Sequence, residues 1–309
     1  MDGLNQDSGP SLNLVKTGLD KLFNNATIKV ASVGKAEATN PLVFVQEDAG
    51  NVAAVQTTTI GGGGYFADTT DDVPATKDAA KRAYATRQSN VVNFNENLPI
   101  SRTFMEDQQL AAVSKSVQQF GMAWTSSRDR KAFQVYNNGF TTQTTPDGVA
   151  LFSNSHLNLN GDTVDNLETG ALSTDTLNSS VVSLRSQLNQ TGVIAGWEPK
   201  FLLVSNTNHQ LAMATTKSVL RAGTGNNDLN YYSEMYPDMQ VLYSPFLTST
   251  APYFLGGFTH GVIRFQREAL NTTLVPWQYN PSDQYQYKMR AREVVDSVDF
   301  TGLVGSTGA

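Results

Sequence analysis

The stretch TFMEDQQLAAVSKSVQQFGMAWTSSRDRKAFQVY, residues 103 to 136, contains no proline, and its apolar positions recur at helical spacing. Leu110, Val113, Val117, Phe120 and Trp124 fall at alternating steps of three and four. That spacing places them on one face of an amphipathic helix, which Val135 continues beyond the polar SSRDRK patch. Thr103 and Glu106 have capping-box spacing, so the expectation is one unbroken helix of roughly nine turns at 3.6 residues per turn. Gly121 lies inside it and allows close approach of another backbone or a slight bend. A coiled coil is the alternative, but clean heptads do not persist past Trp124.

Upstream, residues 1 to about 35 are polar and weakly patterned, with a short helix-like LVKTGLDKLF at Leu14 to Phe23. They read as an arm that orders on neighbours or as a frayed terminus. PLVFVQ and NVAAVQTTTI read as strands separated by the turn EDAGN. From Ile60 to Ser101, four successive glycines and the DDVP and ENLP punctuation predict a long, hairpin-like excursion instead of a core element. A phosphate-binding loop is excluded there, because no Lys-Ser or Lys-Thr follows the glycines at the required spacing.

Downstream, NNGFTTQTTPDGVALFSNSH, residues 137 to 156, is turn-rich with one buried-looking run, VALF. Residues 157 to 173 look loop-like. Leu172 to Gln190 returns to helix, with Leu177, Val181, Leu184 and Leu188 on one face and Gly192 as the stop. FLLVS at 201 to 205 is a fully buried strand candidate, followed by a helix over Asn208 to Lys217 and strands in MQVLYSPFL and APYFLGG, a compact mixed α/β unit. Tyr285, Tyr287, Met289 and Ala291 alternate with Gln286, Lys288, Arg290 and Arg292, the period of a half-exposed strand. The phase shifts near Val294 and Val295 and resumes at Val298 and Phe300, which suggests a bulge or bend.

Composition narrows the function. The 309 residues are 39% hydrophobic but only 16% charged, so much of the polar surface is neutral, which suits large subunit contacts where burying charge is expensive. A net charge of −6 argues against a nucleic-acid reader, since phosphate affinity comes mainly from Lys and Arg. The absence of cysteine excludes disulfides, thiolate zinc sites and Cys nucleophiles. The first residues lack the basic start and apolar run of a secretory signal, and no apolar run approaches a bilayer span.

Catalytic patterns are equally sparse. His156, His209 and His260 are scattered outside any HExxH, and there is no GxSxG. Asp71-Asp72 sits in the excursion, and Glu106-Asp107 in what should be the first helical turn, complementing the helix dipole. No enzymatic activity, cofactor or metal is therefore expected. A cell-surface adhesin and a hydrolase with an unrecognised site are the remaining rivals, disfavoured by the missing signal and the missing motifs.

The segment at 137 to 156 resembles the Mu-like major head subunit family of tailed phages, in which an Asn-rich helix end, a Gly-Phe pair and DG-x-x-LFS-x-x-H recur. LPISRTFMEDQQ before the helix, DNLETGALSTDTL at 165 to 177, EPKFLLVSNTNHQLA, GTGNNDLN at 223 to 230 and PFLTSTAPYFLGG extend the resemblance over roughly residues 90 to 260. It implies an α+β, HK-ninety-seven-type capsid fold with an N-terminal arm, an extended loop, a peripheral domain with a long spine helix and long-stranded sheet, and an α/β axial domain. On the chain these would be 1–35 for the arm, 36–98 for strands and extended loop, 99–170 for the peripheral domain with its spine, 171–262 for the axial domain and 263–309 for return strands of the peripheral domain.

The implied function is a major capsid protein that self-assembles into hexamers and pentamers of an icosahedral shell around packaged double-stranded DNA. The implied partners are a portal and scaffolding or decoration proteins, and the implied locations are the host cytoplasm during assembly and then the virion. No membrane partner is implied. An encapsulin-like compartment shares the fold. The expected inter-subunit contacts are Gly61, Gly62, Gly63, Gly64, Tyr65, Phe66, Lys77 and Lys81 in the excursion, and Tyr231 and Tyr232. Some relatives cross-link Lys to Asn between subunits, but Lys77 and Lys81 have no accompanying active constellation.

Overall fold

The computed structural model describes residues 9–28, 34–61, 82–107, 110–220 and 229–309. In chain order the elements are α1 (Gly9–Ile28), β1 (Val45–Asp48), β2 (Ala54–Gly61), β3 (Arg82–Asn90), β4 (Val92–Ser101), α2 (Arg102–Glu106) and α3 (Leu110–Asn137). There follow β5 (His156–Leu157), β6 (Thr163–Val164), β7 (Leu167–Glu168), α4 (Thr174–Ser186), β8 (Phe201–Ser205), α5 (His209–Lys217) and α6 (Tyr231–Met235). The chain continues with β9 (Gln240–Ser244), β10 (Tyr253–Gly256), β11 (Val262–Val275), β12 (Gln284–Ser297) and β13 (Leu303–Ser306).

Helix α3 is the axle. Its 28 residues extend about 42 Å at 1.5 Å per residue, and its two halves meet different sheets. The first half, through Val113, Val117 and Trp124, shares a core with α1 and with the four-stranded sheet of order β1-β11-β12-β4. The second half, through Ala132, Phe133, Val135 and Tyr136, packs against a five-stranded mixed sheet of order β7-β13-β10-β8-β9. Strand alternation sorts that sheet's residues. Phe201, Leu203, Phe254 and Leu303 face α3, while Leu202, Val204, Leu255 and Val304 face a second core closed by Leu177, Val181 and Leu184 of α4. A sheet covered on both faces explains why all of FLLVS is buried.

Close backbone approach joins α1 to the axle. A Cβ on Gly121 would lie 2.9 Å from the Phe23 carbonyl oxygen and 3.1 Å from the Ala26 Cβ, so only glycine lets the helices come this near. Asp129, fully buried in α3, accepts from the Ala38 amide at 3.0 Å, and the Tyr136 hydroxyl donates to the Val43 carbonyl at 2.8 Å. These bonds fix residues 36–44 along the helix.

Several expectations change. The single helix from 103 is two, because Arg102 recruits Glu106 at 2.5 Å and the Asp107 amide closes on the Thr103 carbonyl at 2.8 Å, ending α2. Thr103 forms no capping box: its hydroxyl pairs with Ser101 at 2.6 Å. Glu106-Asp107 thus stands at the end of α2 and not in a first turn. The expected N-terminal helix is longer and packs on its own subunit, where Leu19, Phe23 and Ala26 are buried. ENLP does not punctuate: Pro99 pairs opposite Gln286 within β4, tolerated because β4 is an edge strand. Helix α4 stops at Gln187 instead of Gly192, which has a positive φ of 75° in the following turn. β12 ends at Ser297, and the register shifts fall on its partner β11, between Gln266 and Glu268 and between Glu268 and Asn271. Residues 303–306 leave the long sheet altogether and form β13, hydrogen-bonded to β10 and β7.

Candidate assembly surfaces

The five-stranded unit leaves an apolar face uncovered. Leu220 and Leu229 are partners in an antiparallel bridge, and the Asn230 amide donates to the Val219 carbonyl at 3.0 Å, which holds the two segments side by side. Val219, Leu220, Leu229, Tyr231 and Met235 are all exposed there, Leu229 at 72%. Asn230 organises the strip: its side chain caps α6 by accepting from the Tyr232 amide and donates to the Thr215 carbonyl. Leu211 and Met213 of the neighbouring α5 add to the exposed apolar residues. Such a concentration on a subunit surface marks a protein contact.

The segment from 137 to 156 is a plug between axle and sheets. Asn137 donates to the Phe246 carbonyl at 2.9 Å, and Phe140 and Phe152 stack around Phe254 with ring centroids 5.2 to 5.7 Å apart. Gly139 and Gly305 both abut the Phe152 ring, where a Cβ would come within 2.8 and 2.6 Å. His156 is buried, its Nδ1 is 2.7 Å from Asp147, and its ring stacks on Phe300 with centroids 4.2 Å apart. Burial alone would raise the Asp147 carboxyl, but hydrogen bonds from His156 and Thr145 outweigh it and hold the group below the ordinary carboxylate range. The recurring Gly-Phe, LFS and terminal His are thus packing residues.

The two strands at either side of the excursion, β2 and β3, pair only with each other, from Ala54 opposite Asn90 to Gly61 opposite Arg82. Their anchorage is at the root, where Ser89 donates to Asp296, Gln143 donates to the same carboxylate at 2.6 Å, and Val55 joins Ala49, Val91 and Phe265.

Of the expected contact residues, Gly61 ends β2, whereas Gly62, Gly63, Gly64, Tyr65, Phe66, Lys77 and Lys81 lie outside the described residues. Asp71-Asp72 lies outside them as well. Tyr231 is half exposed on the apolar strip. Tyr232 corrects the expectation: it is buried in the α4-side core, with its hydroxyl donating to the Thr174 carbonyl at 3.1 Å. Val219, Leu220, Leu229 and Met235 escaped the reading because they are interleaved with Gly, Asn and Ser and show neither helical nor strand period.

The other histidines are placed as scaffolding. His260 donates to the Leu42 carbonyl at 2.9 Å and accepts from the Val262 amide, and burial pushes it down to about 4. His209 lies against Tyr243 with ring centroids 4.7 Å apart. Among the described residues no three His, Asp or Glu side chains gather as metal ligands, and no helix is long and apolar enough to cross a membrane.

A long helix bridging a long-stranded sheet to a doubly covered mixed sheet, with a two-stranded hairpin projecting from the root between them, is the architecture of shell-forming HK-ninety-seven-type subunits. A family model described as phage capsid protein matches residues 88–306, and the chain belongs to that family. No curated protein matches it. Among solved structures, it is similar to the capsid of Myoviridae phage XM1, at 14% identity over 90% of this chain and 94% of that one, with a TM-score of 0.52. The procapsid of bacteriophage JBD30 gives 16% identity, 97% and 76% coverage and a TM-score of 0.51. A virus-like particle from Pyrococcus furiosus gives 6% identity, 93% and 97% coverage and a TM-score of 0.55.

Proposed function

We propose that this chain is the major capsid subunit of a tailed phage, assembling as hexamers and pentamers into an icosahedral shell around packaged double-stranded DNA. The observation that carries the reading is the uncovered apolar strip of Val219, Leu220, Leu229, Tyr231 and Met235 on a subunit of the phage capsid family. Copies arranged about a symmetry axis bury that strip against one another, and many modest contacts add up over a closed surface. In this reading the five-stranded unit is the axial domain and the long sheet with α1 and α3 is the peripheral domain. The segment after Gly61 lies on an adjacent subunit, with Gly61 to Gly64 absorbing changes of angle during maturation. A portal and scaffolding or decoration proteins complete the particle, which is built in the host cytoplasm and ends as the virion. The subunit works by contact and not by catalysis.

Negative-stain microscopy of the expressed chain tests this. Uniform polyhedral shells or capsomer rings support it, and persistent monomers at high concentration overturn it. The likeness to the Pyrococcus furiosus particle favours a second reading, a compartment enclosing protein. The contents of particles purified from the native source separate the two: nuclease-protected DNA for a phage head, a cargo protein for a compartment.

A further inference from the structure

The long sheet is covered on one face only. Phe94, Leu98 and Ile100 of β4 and Tyr287, Met289 and Ala291 of β12 point into the core with α1 and α3. Strand alternation therefore turns their neighbours to the opposite face, which no element covers among the described residues. The cross-strand register arranges that face in rungs. Arg292 lies between Asn93 and Glu268, Arg290 between Asn95 and Asn271, and Lys288 between Asn97 and Thr273. Three successive cations on a central strand, about 7 Å apart at two residues per step, are flanked along one side by three carboxamides. The strands enclose a hollow of about 620 Å³ over Lys288 and Arg290. Glu268 engages Arg290 at 3.0 Å, and Glu96 borders the hollow, so the face keeps a positive excess in a chain of net charge −6.

We infer that this cationic, carboxamide-lined face receives the acidic segment Asp68 to Asp72 of a second copy of the chain. This rests on the shell reading above and names the receiving surface. Charge complementarity carries it. Between Gly62 and Thr76 the sequence holds Asp68, Asp71 and Asp72 and no Lys or Arg. Reach selects a second copy over the same one: from Asn90 to Arg82 the β2–β3 pair runs eight residues, about 26 Å at 3.3 Å per residue, from a root anchored beside Asp296. The acidic stretch therefore starts far from its own rungs. Carboxylates set against Arg and Asn gain charge-assisted hydrogen bonds, and the same charges disfavour wrong registers between like surfaces.

The native chain lacks cysteine, so engineered thiols report the contact directly. Asp71→Cys and Lys288→Cys are placed in separate full-length chains, co-assembled and oxidised. A disulfide-linked dimer formed only in the mixture supports the proposal. In the chain carrying both substitutions, a ladder of linked subunits also supports it, whereas an intramolecular link alone overturns it. Lys288→Glu with Arg290→Glu should lower shell yield about tenfold or more through like-charge contact, and Asp71→Lys with Asp72→Lys in the same chain should restore it. If wild-type shells form but neither the link nor the rescue appears, this assignment fails while the shell reading stands. If the wild type forms no shells, the shell reading itself fails. Loss of nuclease-protected DNA at unchanged shell yield would make the face a phosphate contact and overturn the proposal.

Discussion

Asp147 and His156 meet at 2.7 Å inside the plug that joins the end of α3 to the start of β5, and both side chains are essentially buried. A carboxylate in this position survives because every neighbour donates to it: the imidazole, the Thr145 hydroxyl and the Val149 amide. Removing one partner strands the other.

His156→Ala is accordingly expected to cost about 3 kcal/mol, the scale for breaking a buried pair from one side. Denaturant unfolding of the unassembled subunit measures it. An unchanged midpoint would show that the pair holds nothing.

Gly121→Ala sets two effects against each other. Alanine is favoured over glycine in a helix by about 1 kcal/mol, but its Cβ would press on the Phe23 carbonyl at 2.9 Å. Backbone cannot yield as a side chain does, so the substitution should destabilise, and Gly121→Val should do so by about 3 kcal/mol or more. A stabilised Gly121→Ala subunit would mean that α1 sits further from α3.

Leu229→Asp combined with Met235→Asp should leave the subunit folded, since exposed positions rarely shift stability by more than about 0.5 kcal/mol, yet abolish particles. Circular dichroism checks the first half and sedimentation the second. Particles of normal yield would remove the strip from the assembly contacts.

Acid sensitivity has a defined source in His260. Burial lowers its folded value to about 4, whereas the unfolded chain titrates near the ordinary 6.5. Between those limits the unfolded state binds the extra proton, so stability should fall as pH drops from about 6.5 toward 4, by up to about 3 kcal/mol from this group. His260→Gln should flatten that part of the profile, which unfolding midpoints across the range would reveal.

Local periodicity carried much of the fold. Leu177, Val181 and Leu184 lie on one helical face, FLLVS is continuously apolar, and both readings describe burial that neighbouring residues decide among themselves. What escaped depends on distant partners. Pro99 looks like a break until β4 is known to be an edge, and Glu106 looks like a cap until Arg102 claims it. The phase shift at Val294 and Val295 was visible, but the irregularity belongs to β11, which only pairing reveals. The apolar strip was illegible because Leu220 and Leu229 become neighbours by bridging across residues 221–228. Tyr232 was misplaced for the converse reason, as composition cannot tell an interfacial tyrosine from a core one.

β13 sits between β7 and β10, although more than 130 residues of sequence separate it from β7. A nascent chain still on the ribosome before Leu303 leaves β10 with an open edge and β7 without its partner. Synthesis therefore has to reach residue 306 before this sheet can close, and prematurely terminated chains cannot pass as finished building blocks.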